Sequence, residues 1–274
     1  MPVIPTDKWL RDYLNSKKDS IEENFNIQRE CLCEKLITYF DDATSYDVHY
    51  HLLDHGLFLP DPMDTQVIER MIKNNAWVII GNELEQLKNE WQGPDIPIFM
   101  FPSDFRNEQI RFELSGRSGL GYQDKLFMFV SSDTVKLALQ ALVTHEYNHV
   151  CRLNHLNQSE DNLTLLDAIV LEGLAERAVL ERLGEDYLAN WTSIYSVEVA
   201  EKYWERWLKP NLNLRKIDIT HDDYLYGNGK IPKWIGYNVG YHLVSSYVKS
   251  ERKSIDEVLS IPTKEILEGS DFSI

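Results

Sequence analysis

Three side chains in one short run of this sequence have the types and spacing to bind and use a divalent metal. His145 and His149 are four residues apart, and Glu146 follows the first of them. On an α-helix, residues four apart are offset by about 40° around the axis and about 6 Å along it. Both imidazoles therefore leave from one face and can meet at a single ion. Neutral imidazole nitrogen is a preferred zinc donor, and Glu146, beside the first ligand, can reach a water on that ion. The competing reading is a pair of partly buried, hydrogen-bonded histidines with a surface glutamate. Against it, Val135, Ala138, Leu139 and Leu142 carry a helical apolar stripe straight into the motif, with the histidines on or beside that stripe.

Two histidines leave a zinc site incomplete, and a following helix offers the third donor. Glu172 shares a helix face with Leu165, Ala168, Ile169, Ala175 and Val179. A lone carboxylate in an apolar stripe is costly to bury unless it is paired. Glu176, one turn on, is a second acid and makes the electrostatics worse. A divalent cation removes the conflict, with Glu172 as ligand and Glu176 accepting a hydrogen bond from a ligand histidine. Gly173 would let another helix backbone come close. The alternative is a helix rotated so that both glutamates face water.

The elements that must position these groups follow from periodicity and punctuation. The amino-terminal third reads as helical, with Thr6 capping a first helix. Ser20 with Glu23 forms a capping box ahead of the stripe Phe25, Leu32, Leu36 and Phe40, and a further helix ends at Gly56. Ile96 to Phe101 and Lys125 to Val130 read as buried strands. The alternation over Gln109 to Leu114 reads as a third strand, and Gly116, Gly119 and Gly121 as a turn. The metal motif falls on a helix predicted from about Thr134 to Leu153. Glu172 falls on one from about Thr164 to Leu183, stopped by Gly184, and a last long helix is predicted from Trp234 to Lys249 after a loop over 218–230. The expected class is α+β, mainly helical, with a small mixed sheet. The expected division is a helical region over 1–92 and a catalytic region over 93–274.

Composition narrows the function classes. A hydrophobic share of 43% is enough for a large core. A net charge of -16 argues against nucleic acid and against anionic membrane as partners. No apolar run reaches spanning length and no signal peptide is visible at the amino terminus, so a cytoplasmic location is expected. Cys31, Cys33 and Cys151 read as reduced, mostly buried thiols. His49, His51 and His55 form a second histidine group, but no third ligand accompanies them, and a polar helix face explains them.

His145-Glu146-x-x-His149 followed by Glu172-Gly173-Leu174-Ala175 resembles the gluzincins, the metallopeptidase group of thermolysin and the membrane-alanyl-type aminopeptidases. That resemblance implies a zincin-like fold, Zn2+ as cofactor, Glu172 as third ligand and Glu176 as the acid that supports a ligand histidine. Over nearly its full length the chain also resembles a bacterial family of predicted zinc-dependent proteases. Thr6-Asp7-x-Trp9-Leu10, Trp91-x-Gly93-Pro94-Asp95-Ile96-Pro97-Ile98 and Gly236-Tyr237-x-x-Gly240-Tyr241 carry this wider likeness. The chain lacks the Gly-x-Met-x-Asn segment of the aminopeptidases, so recognition of a free amine is not implied.

The implied chemistry is hydrolysis of a peptide or protein substrate. Glu146 would act as general base and a further donor would stabilise the developing oxyanion. Tyr237 is the first candidate donor, since its distance from Glu172 resembles that of the transition-state tyrosine in related aminopeptidases. Tyr241 is the second and His221 the third. Each tyrosine also reads as a core aromatic with a satisfied hydroxyl. Two other functions stay open at this point. One is a metal-bound regulatory or binding protein with little or no peptidase activity, and the other is a two-histidine, one-carboxylate iron enzyme.

Overall fold

The apolar stripes of the amino-terminal third wrap around a short buried sheet. In the computed structural model, which describes residues 3–272, α1 (Thr6–Ser16), α2 (Ile21–Gln28), α3 (Ser45–Asp54), α4 (Asp64–Lys73) and α5 (Ala76–Trp91) precede β1 (Ile98–Pro102). β2 (Arg117–Gly121) and β3 (Leu126–Val130) complete a mixed sheet of order β1-β3-β2, with β1 parallel and β2 antiparallel to β3. Backbone contacts divide the chain into two compact units, Met1–Glu85 with Asp95–Val143, and Gln86–Pro94 with Thr144–Ile274. This division does not follow the sequence break at Gly93, because the sheet groups with the amino-terminal helices. α5 and α6 (Lys136–His155) each contribute residues to both units.

In the first unit, Phe99, Phe101, Phe127 and Phe129 pack with Leu10, Tyr13, Leu32, Leu36 and Leu52, all fully buried. Thr6 does not cap α1. It is the first helical residue, and its hydroxyl donates to the Met100 carbonyl at 2.6 Å and accepts from the Trp77 indole at 2.9 Å. Ser20 does cap α2, accepting from the Glu23 N–H at 3.3 Å.

The strand expected over Gln109 to Leu114 is instead a single wide helical turn, Gln109–Glu113. Only Ile110 of its apolar residues is buried, and Phe112 is 64% exposed. The glycine-rich segment expected as a turn is β2. A strand rich in Gly gives no alternation signal, yet it pairs residue for residue with the fully buried β3, which thereby has a neighbouring strand on each side.

His49, His51 and His55 form no metal group among the described residues. His49 lies in the core with Nε2 2.8 Å from Gln28 Oε1, while His51 Nε2 meets the Tyr122 hydroxyl. Burial, helped by nearby Arg29, pushes the His49 pKa down to about 4, below its ordinary 6.5. Between those values the unfolded chain takes up a proton that the folded chain refuses. The stabilising contribution is therefore complete above pH 6.5 and is lost as pH falls toward 4. Urea unfolding across this range is expected to show a shallower acid loss in His49→Gln, by about 2 kcal/mol between pH 7 and 4.5. Equal slopes in the two proteins would remove His49 as the source.

The second unit is built on two long helices. α7 (Leu165–Leu183) starts at a reciprocal Thr164–Asp167 capping box and stops at Gly184, whose φ is 87°. α8 (Val197–Tyr203) and α9 (His221–Tyr226) precede α10 (Ile235–Glu251), so the segment read as a loop over 218–230 contains a short helix. α10 crosses α7 where two glycines meet. A Cβ on Gly173 would run into the Gly240 carbonyl, with its carbon at 2.5 Å, and a Cβ on Gly240 would run into the Ile169 carbonyl.

Two further contacts seat the carboxyl-terminal half of α6. Trp91 stacks on Tyr147, the Tyr147 hydroxyl donates to the Pro94 carbonyl at 2.7 Å, and a side chain at Gly93 would collide with Cys151. On the same helix the buried Arg152 donates to the carbonyls of Val258, Leu259 and Ile261 at 3.4, 3.3 and 3.2 Å and to the Thr263 hydroxyl at 3.2 Å. That hydroxyl in turn donates to Asp167 at the start of α7 at 2.7 Å.

Candidate metal centre

The helical offset of four residues brings His145 Nε2 and His149 Nε2 to 3.1 Å from each other on α6. Glu172 on α7 places Oε2 3.2 Å from the first nitrogen and 3.6 Å from the second. Among the described residues, these three make up the one group with the donor set for a metal ion. Three donors about 2.0–2.2 Å from a tetrahedral zinc lie about 3.3 Å from one another, so the observed separations fit that ion. A second observation agrees, since Oε2 of Glu172 is buried and accepts no hydrogen bond. A buried carboxylate oxygen left in that state is costly unless a cation completes it.

The ring of His145 is fixed from behind. Its Nδ1 donates to Glu176 Oε1 at 2.8 Å, and Glu176 Oε2 accepts from the Ala189 N–H at 2.8 Å. This fixes the ring orientation, with Nε2 on the side of Glu172 and His149. Trp191 packs edge-on against His145 at 6.4 Å and against Tyr237 at 4.9 Å.

The electrostatics follow from burial and crowding. Burial disfavours the charged form of His145, but the adjacent carboxylates of Glu172 and Glu176 outweigh it and hold the pKa well above the ordinary value. Burial pushes His149 down to about 4. Burial also raises Glu172, but His149 and His145 outweigh it, so the carboxylate stays ionised. Glu146 is 8% exposed, and burial pushes its carboxyl up to about 7, with His145 opposing and Glu172 adding to the rise. A carboxyl poised near neutrality suits a group that must take and return a proton.

The three candidate oxyanion donors occupy different positions. Tyr237, on α10, is half-buried with its hydroxyl within hydrogen-bonding reach of the Glu172 carboxylate. Burial, with the Glu172 charge, holds it protonated well above the ordinary range for tyrosine. Tyr241, one turn on, does not join Glu172. It lines a separate pocket with Arg177, Ser245 and Lys249. His221 is buried at the start of α9, with Nδ1 2.9 Å from Asp222 Oδ1 and Nε2 without a partner.

The sequence reading missed Tyr226, Trp191, Ala189 and Asn238. Tyr226 is 39% exposed and lies within hydrogen-bonding reach of Tyr237, its ring centroid 5.4 Å from that of Tyr237. Asn238 donates to the carbonyls of Trp191 and Thr192 at 2.9 and 3.0 Å, which holds the segment that supplies the Ala189 N–H. Ala189 acts through its backbone and Trp191 through its place in a short 3₁₀ segment, so neither leaves a spacing signature. Asn238, a polar residue inside the apolar stripe of α10, is the one that left a trace.

Residues 76–268 match the protein family described as Predicted Zn-dependent protease (DUF2268). Along its length the chain is similar to Uncharacterized protein YjaZ of Bacillus subtilis (strain 168), 38% identical over 272 residues, covering 98% of this chain and 99% of that protein. It is also similar to Uncharacterized protein YjfC of the same organism, 24% identical over 139 residues, covering 47% of this chain and 46% of that one. No solved structure matches it.

Proposed function

The chain belongs to the family of predicted zinc-dependent proteases, and from that premise we propose that it is a zinc metallopeptidase of the gluzincin type, with a zincin-like fold and a peptide or protein as substrate. His145, His149 and Glu172 hold the ion, and Glu176 orients His145. What supports this most is the convergence of two imidazole nitrogens and one orphaned carboxylate oxygen at tetrahedral spacing.

Zinc in that site supplies Lewis acidity and brings the pKa of water toward neutrality. Glu146 accepts the proton of the attacking water on its carboxylate and returns it to the nitrogen of the departing amine. Its raised pKa makes both transfers feasible near pH 7. Tyr237 keeps its proton throughout that range and donates from its hydroxyl to the oxyanion that grows on the scissile carbonyl. Tyr226 steadies the Tyr237 hydroxyl as its donation shifts from Glu172 to substrate.

Stripping the full chain with a chelator, reloading it with zinc and following cleavage of casein and a peptide library tests the reading. One zinc per chain is expected, with cleavage in the loaded protein alone and neither zinc nor cleavage in His149→Ala. A chain that takes up no zinc, or one that prefers iron and cleaves nothing, would overturn it. Among the described residues no helix is long and apolar enough to cross a membrane.

A further inference from the structure

Apart from the candidate metal centre, α7, α10 and the residues just after α10 border an open, solvent-facing pocket of about 560 Å³ lined by Arg177, Tyr241, His242, Lys249, Arg252 and Lys253. Its charge runs against the rest of the molecule, where 44 acidic residues face 28 Lys and Arg. Here, among the described residues, none of Arg177, Lys249, Arg252 and Lys253 has a carboxylate within 4.0 Å. Glu181 and Glu257 add to the field at Arg177 and Lys253 without pairing with them. The Nε of Arg177 is buried with no hydrogen-bond partner, a costly state for a guanidinium.

The ordinary explanation for cations near a helix end is the macrodipole, and it accounts for Lys249 and Arg252 at the carboxyl end of α10. It does not account for Arg177, which lies inside α7, or for its orphaned nitrogen. His242 is already engaged with the Tyr195 carbonyl at 3.1 Å, so it lines the pocket rather than serving it. Arginine with lysines around one concavity and hydroxyls of Tyr241 and Ser245 at the wall, with Glu181 and Glu257 acting on them only from a distance, make the donor set of an oxyanion site.

We infer that this pocket binds a small oxyanion, a phosphate or carboxylate group. The site stands on its own residues and does not depend on the peptidase reading. Arg177 directly follows Glu176, which orients His145, so the pocket and the candidate metal centre draw on different faces of one helix.

The test is calorimetric titration of the zinc-loaded full chain with inorganic phosphate and, in a second arm, with succinate, at an ionic strength fixed by chloride. Saturable binding of one phosphate or one succinate per chain is expected, and the arm that saturates identifies the anion class. Affinity is expected to fall by about tenfold or more in Arg177→Gln and in the double variant Lys249→Gln/Arg252→Gln. Lys209→Gln, which removes an exposed base paired with Glu205, is expected to bind as wild type. The double variant changes exposed side chains and keeps the test valid if Arg177→Gln does not fold. Absence of saturation in both arms overturns the inference. So does saturation that survives the double variant, which would place the anion elsewhere, the zinc included.

Discussion

Glu146→Gln is expected to keep zinc and lose hydrolysis. The exchange preserves the shape of a side chain that is almost fully buried and leaves His145, His149 and Glu172 untouched. What it removes is the carboxylate that can accept a proton near neutral pH. General-base catalysis by a placed side chain is worth about 10²–10⁴-fold, so kcat/KM on any cleaved peptide should fall by about that factor. Zinc content by metal analysis and the thermal midpoint should stay at wild-type values. A variant that has lost its metal would say that Glu146 supports the ligands rather than the chemistry. One that cleaves as fast as wild type would end the peptidase reading.

The second large effect is structural and comes from a missing side chain. Gly173→Ala would drive a methyl group into the Gly240 carbonyl, a backbone group that cannot rotate away. The helices must separate instead. Overpacking typically costs about 1–3 kcal/mol, and a clash that only backbone movement relieves belongs at or above the upper end. Because Glu172 is the neighbouring residue, the shift also carries the third donor away from the two imidazoles. Denaturant unfolding should therefore report a loss of about 3 kcal/mol, and chelator competition a weakened zinc site in the fraction that remains folded. Gly81→Ala is the matched control. Its Cβ would meet nothing nearer than the Val3 side chain at 3.7 Å, so the helical preference for alanine should leave it neutral or better by up to about 1 kcal/mol. Equal stability of the two variants would show that the α7–α10 crossing is not close enough to matter.

Much of the candidate metal centre was legible because the chemistry it would serve imposes local spacing. Two imidazoles must be four apart on a helix to meet one ion, and a glutamate inside an apolar stripe signals an unpaired charge. His145, His149, Glu172 and Glu176 accordingly stand together in space. Gly173 as a point of close approach was legible for a related reason, since glycine inside a long helix needs a steric cause. The helices carrying these residues begin and end within a turn of their sequence boundaries, where capping residues and Gly184 mark them. The strand pattern failed where tertiary pairing decided the matter. Gln109 to Leu114 alternates but has no partner strand, whereas Arg117–Gly121 does not alternate and pairs fully with β3. Tyr237 and Tyr241 looked equivalent on a helix wheel. The rotation of α10 against α7 put only the first on Glu172. Such rotations depend on contacts between distant segments, which no local pattern encodes.

The hold on Arg152 has a bearing on how this protein is made. The carbonyls that receive its guanidinium come from residues 106 to 109 positions later in the chain. A ribosome that has released both histidines has yet to produce the groups that anchor the helix bearing them. Until it does, a cation meant for the interior has nothing to bond, and that stretch of helix cannot bury. Seating of the helix that bears the histidines is thereby tied to a segment synthesised long after it.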